Sequence, residues 1–239
     1  MNYQAILFDM DGTLVPMDIN TFTKGYFVLL FRKLAKYGLD PGQFGKNMWA
    51  GVSAMVENDG TRTNEDRFWQ VFCKLTGVEK DTINADCLDF YGNEFQAAKQ
   101  FTGENPLAAQ AIRLARTKAQ KVVLATNPLF PMVGQKTRMG WVGLKPEDFD
   151  LVTAYEQERF CKPNPQYYTS ICDRLGLNPA QCLMIGNDEN EDMYAGTQAG
   201  MHCWLVTDWM IPCREHPWEG PKGTFEQTLE MLEKLEPFA

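Results

Sequence analysis

Five short runs of apolar, β-branched and aromatic residues constrain this chain more than any other feature. They fall at residues 3–9 ("YQAILFD"), 121–126 ("KVVLAT"), 150–154 ("DLVTA"), 181–186 ("QCLMIG") and 202–207 ("HCWLVT"). Each reads as a buried strand. Helical patterns at 105–119, 130–141, 165–175 and 190–199 separate most of them. Strands alternating with helices predict an α/β fold with a parallel sheet covered on both faces. Right-handed crossovers make that sheet doubly wound, a Rossmann-like core.

The first interval breaks the rhythm. Strand one ends near Asp9 and strand two begins near Lys121, yet one crossover helix needs only residues 105–119. The roughly 85 residues left over far exceed a plain loop of ~12–15 residues. They hold helical stretches ("TFTKGYFVLLFRKLAKYG", "GKNMWAGVSAMVEN", "NEDRFWQVFCKL", "DCLDFYGNEFQAAKQ") separated by turn signals at Asp40, Asn58 and Thr76. The chain therefore divides into a core of residues 1–15 and 102–239 and an inserted all-helical domain of residues 16–101. "FTGENP" marks the return, with Asn105 and Pro106 as helix cap and first helical residue.

Composition narrows the function classes. The 239 residues carry a formal charge of -8, which argues against a nucleic-acid partner, since that would need a basic stripe. Seven scattered cysteines (73, 87, 161, 172, 182, 203 and 213) form no C-x-x-C pair, and only His202 and His216 are present. A disulfide framework and a thiolate or histidine metal site are both disfavoured. No signal peptide and no apolar run of membrane-spanning length is visible, so a cytoplasmic protein without a membrane partner is expected.

In an open parallel sheet, ligands bind where the strands end, beside the topological switch point. Strand one ends in "DMDGT" (Asp9 to Thr13), strand two in Thr126-Asn127-Pro128, and strand four in "GNDENED" (Gly186 to Asp192); strand three leads to Lys162. Two carboxylates ~4 Å apart repel by roughly 4 kcal/mol at an effective dielectric near 20. A divalent cation with oxygen ligands and waters, Mg²⁺, resolves this, and Lys162 adds positive charge for an anionic substrate. The "DENED" stretch half matches a calcium loop, but Met193 and Ala199 stand where its glycine and bidentate acid belong.

"FDMDGTL", then "LATN", "CKPNP" and "MIGNDENEDMYAGTQAG", make the chain similar to the haloacid dehalogenase superfamily. Within it the chain resembles the phosphatase-like members with a helical cap inserted after the first strand. The resemblance covers nearly the whole chain. It implies a Mg²⁺-dependent hydrolase of small phosphomonoesters, with a small phosphorylated metabolite as partner. Asp9 would be the nucleophile, forming an aspartyl-phosphate, and Asp11 the general acid and then base. Thr126 and Lys162, with backbone N–H groups of Asp11 and Asn127, would hold the phosphoryl oxygens. Gly12 would allow the tight turn and Thr13 support the loop. The metal ligands would be Asp9, the Asp11 carbonyl and an acid after strand four. There the chain has Asn187-Asp188 where many relatives have Gly-Asp, so either Asp188 or Asn187 supplies the ligand; a carboxylate suits a hard cation better. Asp192, four residues on, could orient Lys162.

Three other readings share these residues. A phosphomutase uses the same acids. A 2-haloacid dehalogenase on the same fold needs Asp9 but not Asp11. A non-catalytic relict would account for Asn187. No motif in the helical domain specifies a substrate. Its aromatics Phe22, Tyr26, Phe27, Trp49, Phe68 and Trp69 read as that domain's own core. Lys24 and Arg62 are cations that could reach a substrate.

Overall fold

The computed structural model describes residues 2–238. Its centre is a six-stranded sheet: β1 (Ala5–Phe8), β2 (Lys121–Leu124), β3 (Leu151–Val152), β4 (Cys182–Gly186), β5 (His202–Val206) and β6 (Lys222–Gly223). In space they run β3-β2-β1-β4-β5-β6. Every neighbouring pair is parallel. From β1 the chain winds to one edge, returns to the middle at β4 and winds to the other edge. The switch point lies between β1 and β4.

The continuous apolar runs are explained by burial on both faces. Side chains alternate along each strand. Ile6, Phe8, Val122, Leu124, Leu183 and Ile185 enter one hydrophobic cluster. Ala5, Leu7, Val123, Ala125, Cys182 and Met184 enter the other.

Between β1 and β2 come α1 (Ile19–Leu34), α2 (Phe44–Val56), α3 (Asn64–Thr76), α4 (Lys80–Gly92) and α5 (Ala108–Lys118). After β2 come α6 (Met132–Trp141), α7 (Gln166–Leu175), α8 (Ala195–Gln198) and α9 (Phe225–Lys234). The apolar face of α5 is Ala108, Ala111, Ile112 and Ala115, the spacing that puts side chains on one stripe. It covers the first sheet face with α6 and α9, while α7 and α8 cover the second.

Every element from 19 to 101 is helical, ending in a 3-10 segment, Glu94–Phe101. Asp18 caps α1 by accepting from the Thr21 N–H at 2.8 Å, and Thr63 caps α3 at 3.1 Å. The two segments that connect this insertion to the sheet lie side by side: Gly103 N–H donates to the Pro16 carbonyl at 2.7 Å. Farther out, Thr137 Oγ1 donates to the Tyr91 carbonyl at 2.7 Å and Trp141 Nε1 to Gln96 Oε1 at 2.9 Å. Phe95 stacks on Phe130 with ring centroids 5.9 Å apart. The insertion and one sheet face thus share a single hydrophobic cluster.

Several boundaries differ from the sequence pattern, each for a local reason. Helix α5 starts at Ala108, not Asn105, because the Asn105 side chain accepts from the Leu107 N–H at 3.1 Å and makes a turn ahead of the helix. Strand β3 is two residues long; next to it the Thr153 hydroxyl takes over, donating to the Thr126 carbonyl at 2.7 Å. The helical pattern at 190–199 resolves into a wide π-type turn, Glu189–Tyr194, followed by the short α8. Strand β6, with two residues, is too short to leave a periodic signal. No helix among the described residues is long and apolar enough to cross a membrane.

Candidate active site

Sheet register sets the site. Phe8 pairs with Leu124 on one side and Ile185 on the other, so the three central strands end in step. The Asp9 N–H then donates to the Ile185 carbonyl at 2.9 Å, which fixes Asp9 at the switch point. Asp9, Asp11, Thr126, Asn127, Asn187, Asp188 and Asp192 all line one cavity of about 380 Å³.

Lys162 ties the strand ends together. Its wholly buried ammonium donates to Asp9 Oδ1 at 2.8 Å and to Asp192 Oδ1 at 2.6 Å. Burial alone would pull this lysine down, but Asp192 and Asp9 more than reverse that and hold it protonated. Asp192 spends its other oxygen on the Asn187 and Asp188 N–H groups, each at 3.0 Å. The turn after β4 is therefore wrapped around one carboxylate. Gly186 permits this approach: a Cβ there would stand 2.2 Å from Asp192 Oδ2.

Charge is out of balance at this end of the sheet. Desolvation, reinforced by Asp192 and Asp11 and opposed by Lys162, pushes the Asp9 carboxyl up to about 7. Desolvation and Asp188 push Glu191 up to about 8. Asp188 is raised as well, by burial and by Asp192. Three acids with raised pKa values facing one cavity mark a place where added positive charge is favourable.

Among the described residues, no three His, Cys, Asp or Glu side chains form a ready-made metal cage. Mg²⁺ does not require one, since it keeps several waters and takes one or two carboxylates. Asp188 Oδ1 is occupied, accepting from the Asn190 and Glu191 N–H groups at 2.8 Å, which leaves Oδ2 for the cavity. The Asn187 amide is committed on both ends: Oδ1 accepts from Thr13 Oγ1 at 3.1 Å and Nδ2 donates to the Trp209 carbonyl at 2.6 Å. The donor set of Asp9 and Asp188 carboxylates fits a hard, hydrated cation.

The loop after β1 is equally constrained. Gly12 has φ +86 and packs against the Asn187 side chain. Thr126 is buried, and its carbonyl is pinned by the Thr153 hydroxyl at 2.7 Å and the Tyr167 hydroxyl at 2.8 Å. Asn127 donates to Glu191 Oε2 at 2.9 Å while its Oδ1 is buried without a partner.

Two side chains not singled out by sequence reasoning matter here. Arg138, on α6, is wholly buried and ion-pairs with Asp11 Oδ2; it also donates to Gln135 Oε1 and lies 4.1 Å over the Phe130 ring. Asp11 Oδ1 is left buried and without a hydrogen bond. The available signal was Gln135 and Arg138 three residues apart, on the same buried face of α6 as Met139. Glu191 is the second, hidden in an acidic run that reads as a solvated helix start.

The insertion aromatics divide. Phe68 and Trp69 are buried as expected, beside a small separate cavity. Phe22, Tyr26, Phe27 and Trp49 line the cavity in front of Asp9, so they are not only the insertion's own core. Lys24 and Arg62 are exposed and do not line it.

Fold and site together define an α/β enzyme core in which strand-end carboxylates face one cavity. The chain belongs to the haloacid dehalogenase-like hydrolases: that family's model matches residues 3–200. It is 26% identical over 207 residues to the glyceraldehyde 3-phosphate phosphatase of Methanothermobacter thermautotrophicus, covering 85% of each chain. Among solved structures, 2-haloacid dehalogenase from Pseudomonas syringae pv. Tomato DC3000 superposes with a TM-score of 0.64 at 17% identity, covering 97% of this chain and 99% of that one. YfnB from Bacillus subtilis, solved bound to magnesium, superposes with a TM-score of 0.58 at 19% identity, covering 97% and 99%.

Proposed function

We propose that the protein is a Mg²⁺-dependent phosphatase of small phosphomonoesters that works through an aspartyl-phosphate on Asp9. The observation that carries this reading is the matched treatment of two aspartates over one cavity. Asp9 has one oxygen held by buried Lys162, and Asp11 has one held by buried Arg138 and the other unpaired. Family membership and the phosphatase among its relatives support it.

In the first half-reaction an Asp9 oxygen attacks phosphorus and the ester P–O bond breaks. The departing alkoxide takes the proton of Asp11. In the second, Asp11 takes a proton from water, whose oxygen attacks phosphorus. The P–O bond to Asp9 breaks, and orthophosphate and the Asp9 carboxylate are regenerated. Lys162, Thr126 and the N–H groups of Asp11 and Asn127 hold the phosphoryl oxygens as negative charge moves across them. Asp9, the Asp11 carbonyl and Asp188 would hold Mg²⁺, whose charge offsets the crowded carboxylates and the incoming phosphate. Thr13 and Asp192 keep the surrounding loops and Lys162 in place.

The insertion, residues 16–101, acts as the cap that excludes bulk water from this exchange. Seven free thiols, five of them buried, suit a reducing cytoplasm. Asp11 separates this reading from dehalogenation, which has no use for a proton donor beside the nucleophile. The test is orthophosphate release from p-nitrophenyl phosphate with Mg²⁺, stopped by EDTA and lost in Asp9→Asn. Full activity in EDTA, or a phosphoenzyme in Asp9→Asn, overturns it. Release of orthophosphate in step with the alcohol separates hydrolysis from transfer between two positions of a sugar.

A further inference from the structure

We propose that the alcohol released at this site is apolar and aromatic, gripped by ring faces rather than by hydrogen bonds. The inference rests on the phosphatase reading and adds the chemistry of the leaving group. The cavity of about 380 Å³ is at the small-molecule end of the usual range of about 300–1,000 Å³. One wall is the polar strand ends. The wall opposite, where the alcohol must project once phosphorus is against Asp9, comes from the insertion.

That wall is Phe22, Tyr26 and Phe27 of α1 with Trp49 and Val52 of α2, and Phe130 closes the side. Among the described residues the insertion contributes no lysine, arginine, acid or amide to the lining; its uncommitted polar groups there are the Thr23 hydroxyl and the Trp49 indole N–H. The Tyr26 hydroxyl is already bonded to the Tyr91 hydroxyl at 2.9 Å, so Tyr26 offers a ring. A leaving group that carries a carboxylate or several hydroxyls would lose water here and find too few partners on this wall to replace it. An aromatic body loses nothing by leaving water and gains the ring contacts.

The mouth gives a second observation. Of the eight exposed large hydrophobics among the described residues, Ile19 (39% exposed), Trp49 (52%) and Ile211 (38%) line this one cavity. Ile19 and Trp49 come from the insertion. Ile211 comes from the loop after β5, held in place by its N–H bond to the Asn187 carbonyl at 2.9 Å. Exposed apolar side chains gathered from both sides of the cavity mouth mark a surface suited to an apolar ligand.

The test compares 1-naphthylmethyl phosphate with glycerol 3-phosphate and 2-phosphoglycolate. All three release primary alcohols, so leaving-group acidity does not decide the order. Acetyl phosphate serves as a small phosphoryl donor that makes little use of the wall. The expected result is a kcat/KM for the naphthylmethyl ester at least about thirtyfold above the two polar esters, the scale on which hydrophobic pockets discriminate. Trp49→Ala, at an exposed position, should cut that ratio by roughly tenfold. Turnover of acetyl phosphate with equal or better use of the polar esters overturns this inference and leaves the phosphatase standing. Turnover of none of the four overturns both.

Discussion

Arg138, wholly buried on α6, is ion-paired to Asp11 across 127 residues of sequence. The guanidinium takes Oδ2 of Asp11 while Oδ1 stays buried without a partner, so the carboxylate is held in one orientation beside the cavity. Arg138 touches no substrate in this arrangement; it positions Asp11. Arg138→Met strands a partly exposed carboxylate, a loss of about 3 kcal/mol by the lower end of the range for broken buried pairs. It should also lower kcat about a hundredfold with KM nearly unchanged, as expected when a reacting group is misplaced by an ångström. Arg138→Lys keeps the charge but not the fork and should recover part of kcat. Steady-state kinetics beside a thermal melt check this; a kcat loss no larger than the change in folded fraction would reduce Arg138 to a packing role.

The proposed Mg²⁺ dependence tests a different part of the site. If Mg²⁺ relieves the crowding of Asp9, Asp188 and Glu191, it should stabilise the fold by about 2.7 kcal/mol at a hundredfold excess over its Kd, and EDTA should reverse this. Asp188→Asn should raise the Mg²⁺ concentration for half-maximal activity about tenfold or more, because a carboxylate is replaced by a neutral donor. Asn187→Ala should instead lower the melting temperature, since it opens bonds to Thr13 and to the Trp209 carbonyl. A metal titration of the two variants decides; if Asn187→Ala moves the Mg²⁺ dependence more, the ligand is the amide.

What was legible in the sequence follows from how each residue's environment is encoded. Five of the six strands were legible because burial on both faces leaves no polar alternation to confuse them, as in "AILF". Asp9 and Thr126 were legible because chemistry placed just after a strand is local in sequence, whereas Lys162, ten residues past β3, was legible only through the "CKPNP" run. Arg138 was not, because a cation inside a helical stretch normally faces solvent, and only the three-dimensional course of α6 turns it toward Asp11. Glu191 was lost in "DENED" for the same reason: the π-type turn carries it inward, where Asn127 meets it. The cavity role of Phe22 and Tyr26 was hidden because one ring can be buried in the insertion and line the cavity at once.

Acid stability should report on the far end of β2. Burial alone would raise the Asp150 carboxyl, but the Val122 N–H, Lys121 and Arg116 outweigh it and hold it below the ordinary carboxylate range. A carboxyl lowered on folding stabilises the fold above its unfolded value of 3.8, and that contribution is lost as pH falls through the lower folded value. Because the group is partly exposed, the effect is discounted to about 1 kcal/mol or less. Asp150→Asn should therefore lower the melting temperature by at most about 2–4 °C at pH 7. The gap to wild type should close as pH is taken below 3.8. A gap that is the same at pH 7 and in acid would show that charge at Asp150 contributes nothing.

Gly12 carries the most local constraint of the site. Its φ is +86, a region that costs a side-chain-bearing residue about 1–2 kcal/mol. A Cβ there would also stand 2.2 Å from Asn187 Nδ2. That amide cannot step aside freely, because Thr13 and the Trp209 carbonyl hold it at 3.1 and 2.6 Å. Displacing it breaks bonds worth about 1 kcal/mol each and shifts Asp188, its neighbour on the cavity. Gly12→Ala should thus lose roughly 3 kcal/mol of stability and most of the activity. The two causes separate in a double-mutant cycle with Asn187→Ala. Removing the amide removes the clash but not the backbone strain, so the Gly12→Ala penalty should fall to the ~1–2 kcal/mol of the left-handed conformation alone. A penalty that stays the same in the Asn187→Ala background would mean that backbone strain, and not the packing of Gly12 against Asn187, sets the requirement for glycine.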